Sequence, residues 1–129
     1  VDMSQKVCEI ENLASGKNLR IHGSDIDAKG GHGPFAKLIL HKSGNVFKLE
    51  SQKEKGKYVA LGPKGKLLVG PGGKFCEYHM IKHEKKIVSF KSAHHSHMLG
   101  FTKDGDFHVC SDPNADGQRK KSKFKLVPQ

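Results

Sequence analysis

A dense cluster of cations near the C-terminal end is the part of the sequence best suited to bind a ligand. Five basic residues occupy the seven positions from Arg119 to Lys125. Arginine holds sulfate or phosphate groups through paired hydrogen bonds, and lysine attracts them as a point charge. If Phe124 and Leu126 face inward on a last strand, the lysines beside them face outward. The predicted polyanion-binding residues are Lys103, on an earlier turn, and Arg119, Lys120, Lys121, Lys123 and Lys125. A solvated charge run beside a strand is the alternative.

The histidines at positions 94, 95 and 97 form the second candidate cluster. Imidazoles this close could bind zinc, nickel or copper, or could titrate near neutral pH. No cysteine or carboxylate ligand lies close to them in the sequence, so a polar hairpin turn is the favoured interpretation of His94, His95 and His97. The three cysteines form no Cys-x-x-Cys pair, and we expect buried free thiols. The sequence therefore predicts neither a metal nor another cofactor.

Motifs that would indicate an enzyme are missing. The sequence contains neither a Gly-x-Ser-x-Gly nucleophile turn nor a His-Glu-x-x-His metal motif. None of the Gly-Lys pairs completes a phosphate-binding loop. Asp25 and Asp27 could place two carboxylates on one strand face, but a solvated turn explains them better. We therefore expect a protein that is not an enzyme.

The overall charge points to acidic partners. The 129 residues include 23 Lys and Arg against 13 Asp and Glu, a formal net charge of +10. Sulfated glycans, nucleic acids, acidic membrane surfaces and acidic filaments all fit such a charge. Nucleic acid is a weak candidate, because only 7% of the residues are aromatic and few of these would be left to stack on bases.

The N-terminal segment bears on where the protein acts. It lacks the basic and then apolar pattern of a signal peptide, and no apolar run is long enough to span a membrane. Residues 1–3 resemble a cloning remnant, with Val1 and Asp2 placed ahead of Met3. We expect a protein that is cytoplasmic or secreted by an unconventional route.

The elements that must position these residues recur along the chain. The alternating segment 46–51 matches 87–92, and the strand-turn-strand segment 57–69 matches 98–109, each about 40 residues apart. A further segment that begins at Phe35 recurs at Phe75 and at Phe124. The period within each copy is two residues, which indicates strands. The sequence thus contains three copies of one unit of about four strands.

Three such units predict an all-β fold with one domain over residues 1–129. About twelve short strands with internal threefold symmetry are typical of a β-trefoil, a six-stranded barrel closed at one end by three hairpins. A β-sandwich is the alternative, but it gives no reason for a threefold repeat. The predicted core comprises Leu19, Ile21, Leu38, Leu49, Tyr58, Leu67, Phe75, Val88, Phe90, Leu99, Phe107, Phe124 and Leu126.

Three segments, in order, resemble the fibroblast growth factors over about Gly16 to Pro128. They are Gly16–Ile21; the centre made of Gly56–Leu61, Lys64–Leu68 and Phe75–Cys76; and Gly117–Arg119 with the closing Phe124-x-Leu-x-Pro128. The resemblance implies a β-trefoil growth factor that binds heparin or heparan sulfate and engages a cell-surface receptor. In that family the heparin site lies on the last hairpin and the loop before the final strand, and here it falls on Lys103, Gln118, Arg119, Lys120 and Lys121.

The third unit also resembles a second group of trefoils. Val88-x-Phe90-x-Ser92, followed by Leu99–Phe101 and Asp104–Gly105, is similar to fascin repeats and to histidine-rich hisactophilin. This resemblance implies an intracellular protein that binds F-actin. A basic interaction module with an unknown partner is the remaining alternative.

Overall fold

β-strands make up nearly all of the regular secondary structure in the described residues. Its structure, a computed structural model, describes residues 3–129, so Val1 and Asp2 of the expected cloning remnant lie outside it. The ten strands are β1 (Met3–Asn12), β2 (Asn18–His22), β3 (Asp25–Gly30), β4 (Leu38–Ser43), β5 (Val46–Ser51), β6 (Tyr58–Leu61), β7 (Leu67–Gly70), β8 (Tyr78–Glu84), β9 (Ile87–Ser92) and β10 (Phe124–Pro128). Two 3-10 helices of three residues each, Pro34–Ala36 and Lys74–Cys76, complete the described secondary structure. No helix within residues 3–129 has the length and apolar character needed to cross a membrane.

Six of the strands close into a barrel. Around the ring the antiparallel pairs run β1–β4, β4–β5, β5–β8, β8–β9, β9–β10 and β10–β1. Two hairpins branch from this ring, β2–β3 next to β1 and β6–β7 next to β5. Closure pairs strand edges that would otherwise be exposed. The sequence-based expectation of an all-β protein with a six-stranded barrel is therefore confirmed.

A third hairpin, between β9 and β10, lacks regular strands. It retains isolated bridges, Met98 with Cys110 and Phe101 with Phe107. Around its turn the amide of Thr102 donates to the carbonyl of Asp106 (2.8 Å). The sequence predicted about twelve strands, and this hairpin accounts for the two that are not formed. Glycine in a strand provides no side chain to pack, and Gly100 lies in the first arm of the hairpin.

The core fills the inside of the barrel. Eight of the predicted core residues are fully or almost fully buried: Leu19, Ile21, Leu38, Leu49, Val88, Phe90, Leu99 and Phe124. Three others, Leu67, Phe107 and Leu126, are partly buried and pack against this core.

Two of the predicted core positions are wrong. Tyr58 is only half-buried, because strand β6 turns Val59 and Leu61 into the core instead. Phe75 is also half-buried, because it lies in a 3-10 helix, and the core position belongs to Tyr78 three residues later. The Tyr78 hydroxyl is buried as well, and it donates to the carbonyl of Val59 (3.0 Å).

The repeat predicted that Phe35 and Phe75 begin strands, but in the structure neither residue does. Both lie in the middle of a 3-10 helix, in which a glycine carbonyl accepts from the residue after the phenylalanine. Phe124, in contrast, is the first residue of β10 and corresponds in position to Leu38 and Tyr78, the first residues of β4 and β8. The predicted alignment of the third copy was therefore displaced by three residues.

The expected solvated turn at Asp25 and Asp27 is a strand in the structure. Asp25 and Asp27 lie in this strand rather than in a solvated turn. Asp27 forms an ion pair with Arg20 on β2 (2.8 Å). Because Asp25 is exposed and Asp27 is committed to arginine, the two carboxylates do not form a catalytic pair.

The same pair of backbone hydrogen bonds recurs where β1, β5 and β9 end. First, the amide of the last strand residue donates across a short turn: Asn12 to Lys17, Ser51 to Lys57 and Ser92 to His97. Second, the amide of the following residue donates to the carbonyl of the residue just before a barrel strand: Leu13 to Lys123, Gln52 to Lys37 and Ala93 to Glu77. The backbone carbonyl is the acceptor in every case, so the three strand ends are held in the same way.

Candidate polyanion-binding groove

The loop between Cys110 and β10 is organised by Gln118. The side-chain oxygen of Gln118 accepts hydrogen bonds from the amides of Ser111 (2.8 Å) and Asp112 (3.0 Å). Its backbone carbonyl accepts from the hydroxyl of the buried Ser122 (2.7 Å). The side-chain oxygen of Gln118 therefore holds the loop in shape, and an anion would accept a hydrogen bond from the amide nitrogen instead, so the predicted contact of Gln118 with the polyanion stays a prediction.

This loop and the turn of the third hairpin enclose a shallow groove of about 620 Å³. We call it the cationic groove. It is lined by Ala14, Thr102, Lys103, Asp116, Gly117, Arg119, Lys120 and Lys121. Four of the seven predicted binding residues therefore line one concave surface, although Lys103 is distant in sequence from the other three.

The cations of the groove are largely uncommitted. The Nε of Arg119 donates to the carbonyl of Asn114 (3.0 Å), and its guanidinium lies 3.9 Å from the exposed carboxylate of Asp116. This is the one ion pair of the groove among residues 3–129, and an exposed pair at this distance contributes little. Lys103 and Lys120 are exposed, and Lys121 is half-buried. The groove can thus present four positive charges to an anionic chain.

The acidic residues of the loop only partly oppose this charge. Asp112 accepts a hydrogen bond from the amide of Asn114 (2.8 Å), which fixes the first turn of the loop. Asp116 lines the groove itself and is the acidic group that pairs with the arginine. The local charge of the groove is therefore positive, but lower than the lysines and the arginine alone would make it.

Lys123 and Lys125 do not line the groove. Phe124 between them is fully buried, whereas Lys123 is half-buried and Lys125 is exposed, as strand alternation requires. Lys125 pairs across the sheet with Glu11 on β1. The seven residues predicted to form one surface are therefore divided between the cationic groove, the loop that precedes β10, and strand β10 itself.

Lys123 instead lies close enough to His83 to influence its titration. The Nε2 of His83 lies 2.7 Å from the hydroxyl of Ser89, which itself donates to the carbonyl of Ser122 (2.6 Å). Burial, and then the positive charge of Lys123, lower the pKa of His83, while Glu84 acts in the opposite direction. The imidazole is therefore kept neutral and donates to the serine.

The histidine cluster at positions 94, 95 and 97 has a structural role, because its rings contact other segments of the chain. The Nε2 of His95 lies 2.8 Å from the carbonyl of Leu61, and that of His97 lies 3.1 Å from the carbonyl of Pro63. The third ring, His94, pairs with Glu77 (2.6 Å). The contacts of His95 and His97 attach the β6–β7 hairpin to the segment after β9. No group of metal-binding side chains occurs within the described part of the chain, residues 3–129.

The three cysteines are buried free thiols, as the sequence predicted. Burial raises the pKa of Cys8 to about 11 and also raises the pKa values of Cys76 and Cys110. A thiol held in its protonated form is a poor nucleophile and a poor metal ligand. These residues therefore belong to the packing of the barrel.

Sequence reasoning missed two parts of the groove. Ala14 and Thr102 line it, yet neither carries a charge that would have drawn attention. The position of Ala14 follows from Asn12, whose side-chain amide donates to the carbonyl of Lys121 (2.9 Å) and so joins the end of β1 to the loop. Asn12 matches Ser51 and Ser92 at the ends of the other two strands, but those serine hydroxyls accept from the nearby amides of Glu54 and His94, so the repeat did not indicate this long-range contact.

Comparison with known proteins gives one group of relatives. The chain is 30% identical over 103 residues to fibroblast growth factor 17 of human, mouse and rat, an alignment that covers 75% of this chain. A distant relationship to the fibroblast growth factors is indicated. The alignment covers 47% of each relative, so the chain spans about half the length of the curated relatives it matches. No family model matches the sequence.

Proposed function

We propose that this protein is a fibroblast growth factor-like β-trefoil that binds heparan sulfate, or a similar sulfated polyanion, through the cationic groove. The observation that carries the proposal is the meeting of Lys103 with Arg119, Lys120 and Lys121 on one concave surface. The relatives are growth factors by name, which favours a binding protein over an enzyme. Engagement of a cell-surface receptor is a further element of the proposal and rests on the resemblance alone.

The assignment to the trefoil architecture is supported by the recurring hydrogen bonds at the ends of β1, β5 and β9. Each copy also contains a hairpin whose arms meet at matching positions: Asn18 with Gly30, Tyr58 with Gly70 and Met98 with Cys110. A barrel of six strands with three such hairpins is the arrangement that the threefold repeat requires. In this arrangement the third hairpin brings Lys103 beside the loop that precedes β10.

The chemistry of the groove suits a flexible polyanion better than a small anion. Its cations come from two separate segments, and they are mostly exposed and only weakly paired. A sulfated chain that crosses the groove would displace counterions at each contact, so its affinity should fall steeply with salt. A single small anion could contact only part of this surface.

The test is a heparin-affinity measurement across salt concentrations with Arg119, Lys120 and Lys121 changed to Ala. The loss of roughly three contacts should flatten the slope of log affinity against log salt by about 2 to 3. The control changes Lys53, Lys55 and Lys64 to Ala, because these residues lie outside the groove. Both variants lose three positive charges, so a slope that depends only on net charge would change equally in the two.

Equal slopes for the two variants, or elution of the unchanged protein from heparin at no more salt than from a generic cation exchanger, would refute the proposal. F-actin, the other partner expected from the sequence, is tested in parallel by co-sedimentation at pH 6 and pH 7.5. Pelleting that is lost in the groove variant, without specific heparin affinity, would favour the actin interpretation instead.

A further inference from the structure

The open end of the barrel contains a second cavity, distinct from the cationic groove. This barrel mouth has a volume of about 360 Å³ and is lined by Ser4, Gln5, Lys6, Leu40, Lys42, Phe47, Met80, Lys82 and Leu126. It shares no lining residue with the groove. Lys6 lies near the start of β1, whereas the groove lies beyond the end of that strand, roughly 20 Å away at about 3.3 Å per residue.

Three lysines occupy inward-facing positions at this mouth. Side chains two residues apart share one face of a strand. On β4, Lys42 follows the core residue Leu40 by two positions, and on β1, Lys6 precedes the core residue Cys8 by two. On β8, Lys82 follows Met80 in the same way. The three lysines thus come from three strands of the barrel, and all of them line its opening.

The floor beneath these lysines is apolar and incompletely covered. Phe47, Met80 and Leu126 are only partly buried, although each packs against the core. Leu40 below them is buried. Lysine stems can cover some apolar surface, but three like charges that converge on one opening repel one another. The mouth therefore combines exposed apolar surface with unneutralised positive charge.

Among the residues that the structure describes, no acidic side chain lines the mouth. Within residues 3–129, none of Lys6, Lys42 and Lys82 forms an ion pair or donates a side-chain hydrogen bond. Elsewhere in the same span, Lys29, Lys37 and Lys57 are each paired with a carboxylate. A ligand that neutralised the mouth would have to bring the negative charge itself.

We propose that the barrel mouth binds a small amphipathic anion, in which an apolar body of the size of a medium-length alkyl chain carries one carboxylate, sulfate or phosphate. The apolar body would lie on Phe47, Met80 and Leu126, and the anionic head would lie among the three lysines. The volume is at the lower end of the range of small-molecule sites, which suits a medium-length alkyl chain rather than a large lipid.

The experiment titrates the full chain with sodium decanoate, below its micelle concentration, and follows the methyl NMR signals of Met80 and Leu126. Decanol, which has the same chain but no charge, is the matched ligand control. The test variant changes Lys6, Lys42 and Lys82 to Gln. The control variant changes Lys53, Lys55 and Lys64 to Gln, which gives the same net charge at sites away from the mouth.

Decanoate should shift the Met80 and Leu126 signals saturably, and decanol should bind at least tenfold more weakly. The Lys6, Lys42 and Lys82 variant should lose at least tenfold in affinity for decanoate, and the control variant should stay within twofold. Shifts that avoid these methyl groups, equal binding of decanol, or equal losses in the two variants would overturn the proposal. Binding to vesicles of anionic phospholipid without binding of free decanoate would also overturn it, in favour of a membrane surface.

Discussion

Lys123, one lysine of the predicted binding cluster, influences the titration of His83. The imidazole of His83 donates to Ser89, which passes a hydrogen bond on to the carbonyl of Ser122 just before the last strand. Burial and the charge of Lys123 both lower the pKa of His83. Because the folded state favours the neutral ring, it contributes stability that is lost as the pH falls below about 6.5, the ordinary pKa of histidine.

Removal of the charge at position 123 tests this coupling. Lys123→Gln should raise the pKa of His83, because it removes the second cause of the depression and leaves burial as the main one. An NMR titration of the His83 ring protons measures the change. Lys125→Gln is the matched control, since Lys125 is exposed on the same strand and pairs with Glu11. An unchanged His83 pKa in the Lys123 variant would contradict the assigned cause.

At the scale of the elements, the third hairpin is attached to strand β3 through Gly105. The carbonyl of Gly105 accepts a hydrogen bond from the amide of Ala28 (2.9 Å). Gly105 has a φ of +85°, and a Cβ at this position would lie 2.7 Å from the carbonyl oxygen of Ala28. A side chain is therefore excluded by the neighbouring backbone as well as by the conformation.

Gly105→Ala should destabilise the protein more than Gly16→Ala. Gly16 also has a positive φ, +68°, but a methyl group there would meet no atom within 4 Å. The Gly16 change should cost about 1 to 2 kcal/mol from conformation alone. The Gly105 change should cost roughly 1 to 3 kcal/mol more from the clash with Ala28. Denaturant unfolding measures both, and equal losses would mean that the third hairpin and β3 are not in close contact.

The loop of the groove depends on Gln118 in a way that exchange measurements can test. Gln118→Ala removes the acceptor for the amides of Ser111 and Asp112, so hydrogen exchange at these two amides should become faster. Gln118→Glu keeps an oxygen in place and should retain much of their protection. If both variants protected the two amides equally well, the side chain of Gln118 would not be what holds the loop.

The sequence predicted the elements that follow a simple alternation. The bounds of β5 and β9 agree with the two matched segments at 46–51 and 87–92, because both strands keep a period of two beside the core. The sequence did not predict the elements in which local geometry overrides the alternation of apolar and polar residues. The 3-10 helices at Pro34–Ala36 and Lys74–Cys76 interrupt the alternation, and the third hairpin, with Gly100 in its first arm, retains only isolated bridges.

The candidate site was predictable as a charge cluster but not as a shape. Arg119, Lys120 and Lys121 stand together in the sequence, so their proximity needed no structure. Charge alone did not predict that Lys123 lies outside the groove, because the position of Lys123 depends on how the loop turns before β10. The role of Gln118 was hidden for the same reason, since an amide side chain can equally face a ligand or a backbone.

At the scale of the whole molecule, two buried carboxylates make stability dependent on pH. Burial would raise the pKa of Glu9, but hydrogen bonds from Lys37 (2.5 Å) and His32 outweigh it, so the pKa is lowered. Burial is likewise outweighed at Glu50, by the amide of Gly56 and by His41. A lowered carboxyl pKa gives stability that is complete above the unfolded-state value and is lost as the pH falls through the folded-state value.

Glu9→Gln should therefore reduce the stability at pH 7 by about 1 to 3 kcal/mol, because it removes the buried negative charge that accepts hydrogen bonds from Lys37 and His32. It should also make the loss of stability below about pH 4.5 shallower, since one of the depressed carboxyl groups is gone. Urea unfolding between pH 3 and pH 7 measures both effects. Glu11→Gln, on the same strand, is the control. A pH profile that is unchanged by the Glu9 substitution would contradict this account.

The pairing of β1 with β10 has a kinetic consequence. It closes the ring, and the hydrogen bond from Asn12 to Lys121 beside it joins residues 109 positions apart. Contacts so distant along the chain cannot form until most of the polypeptide has been ordered, so folding should take milliseconds to seconds rather than microseconds. Until then β1 and β9 each retain an edge that β10 will cover, and an uncovered strand edge can pair with another chain.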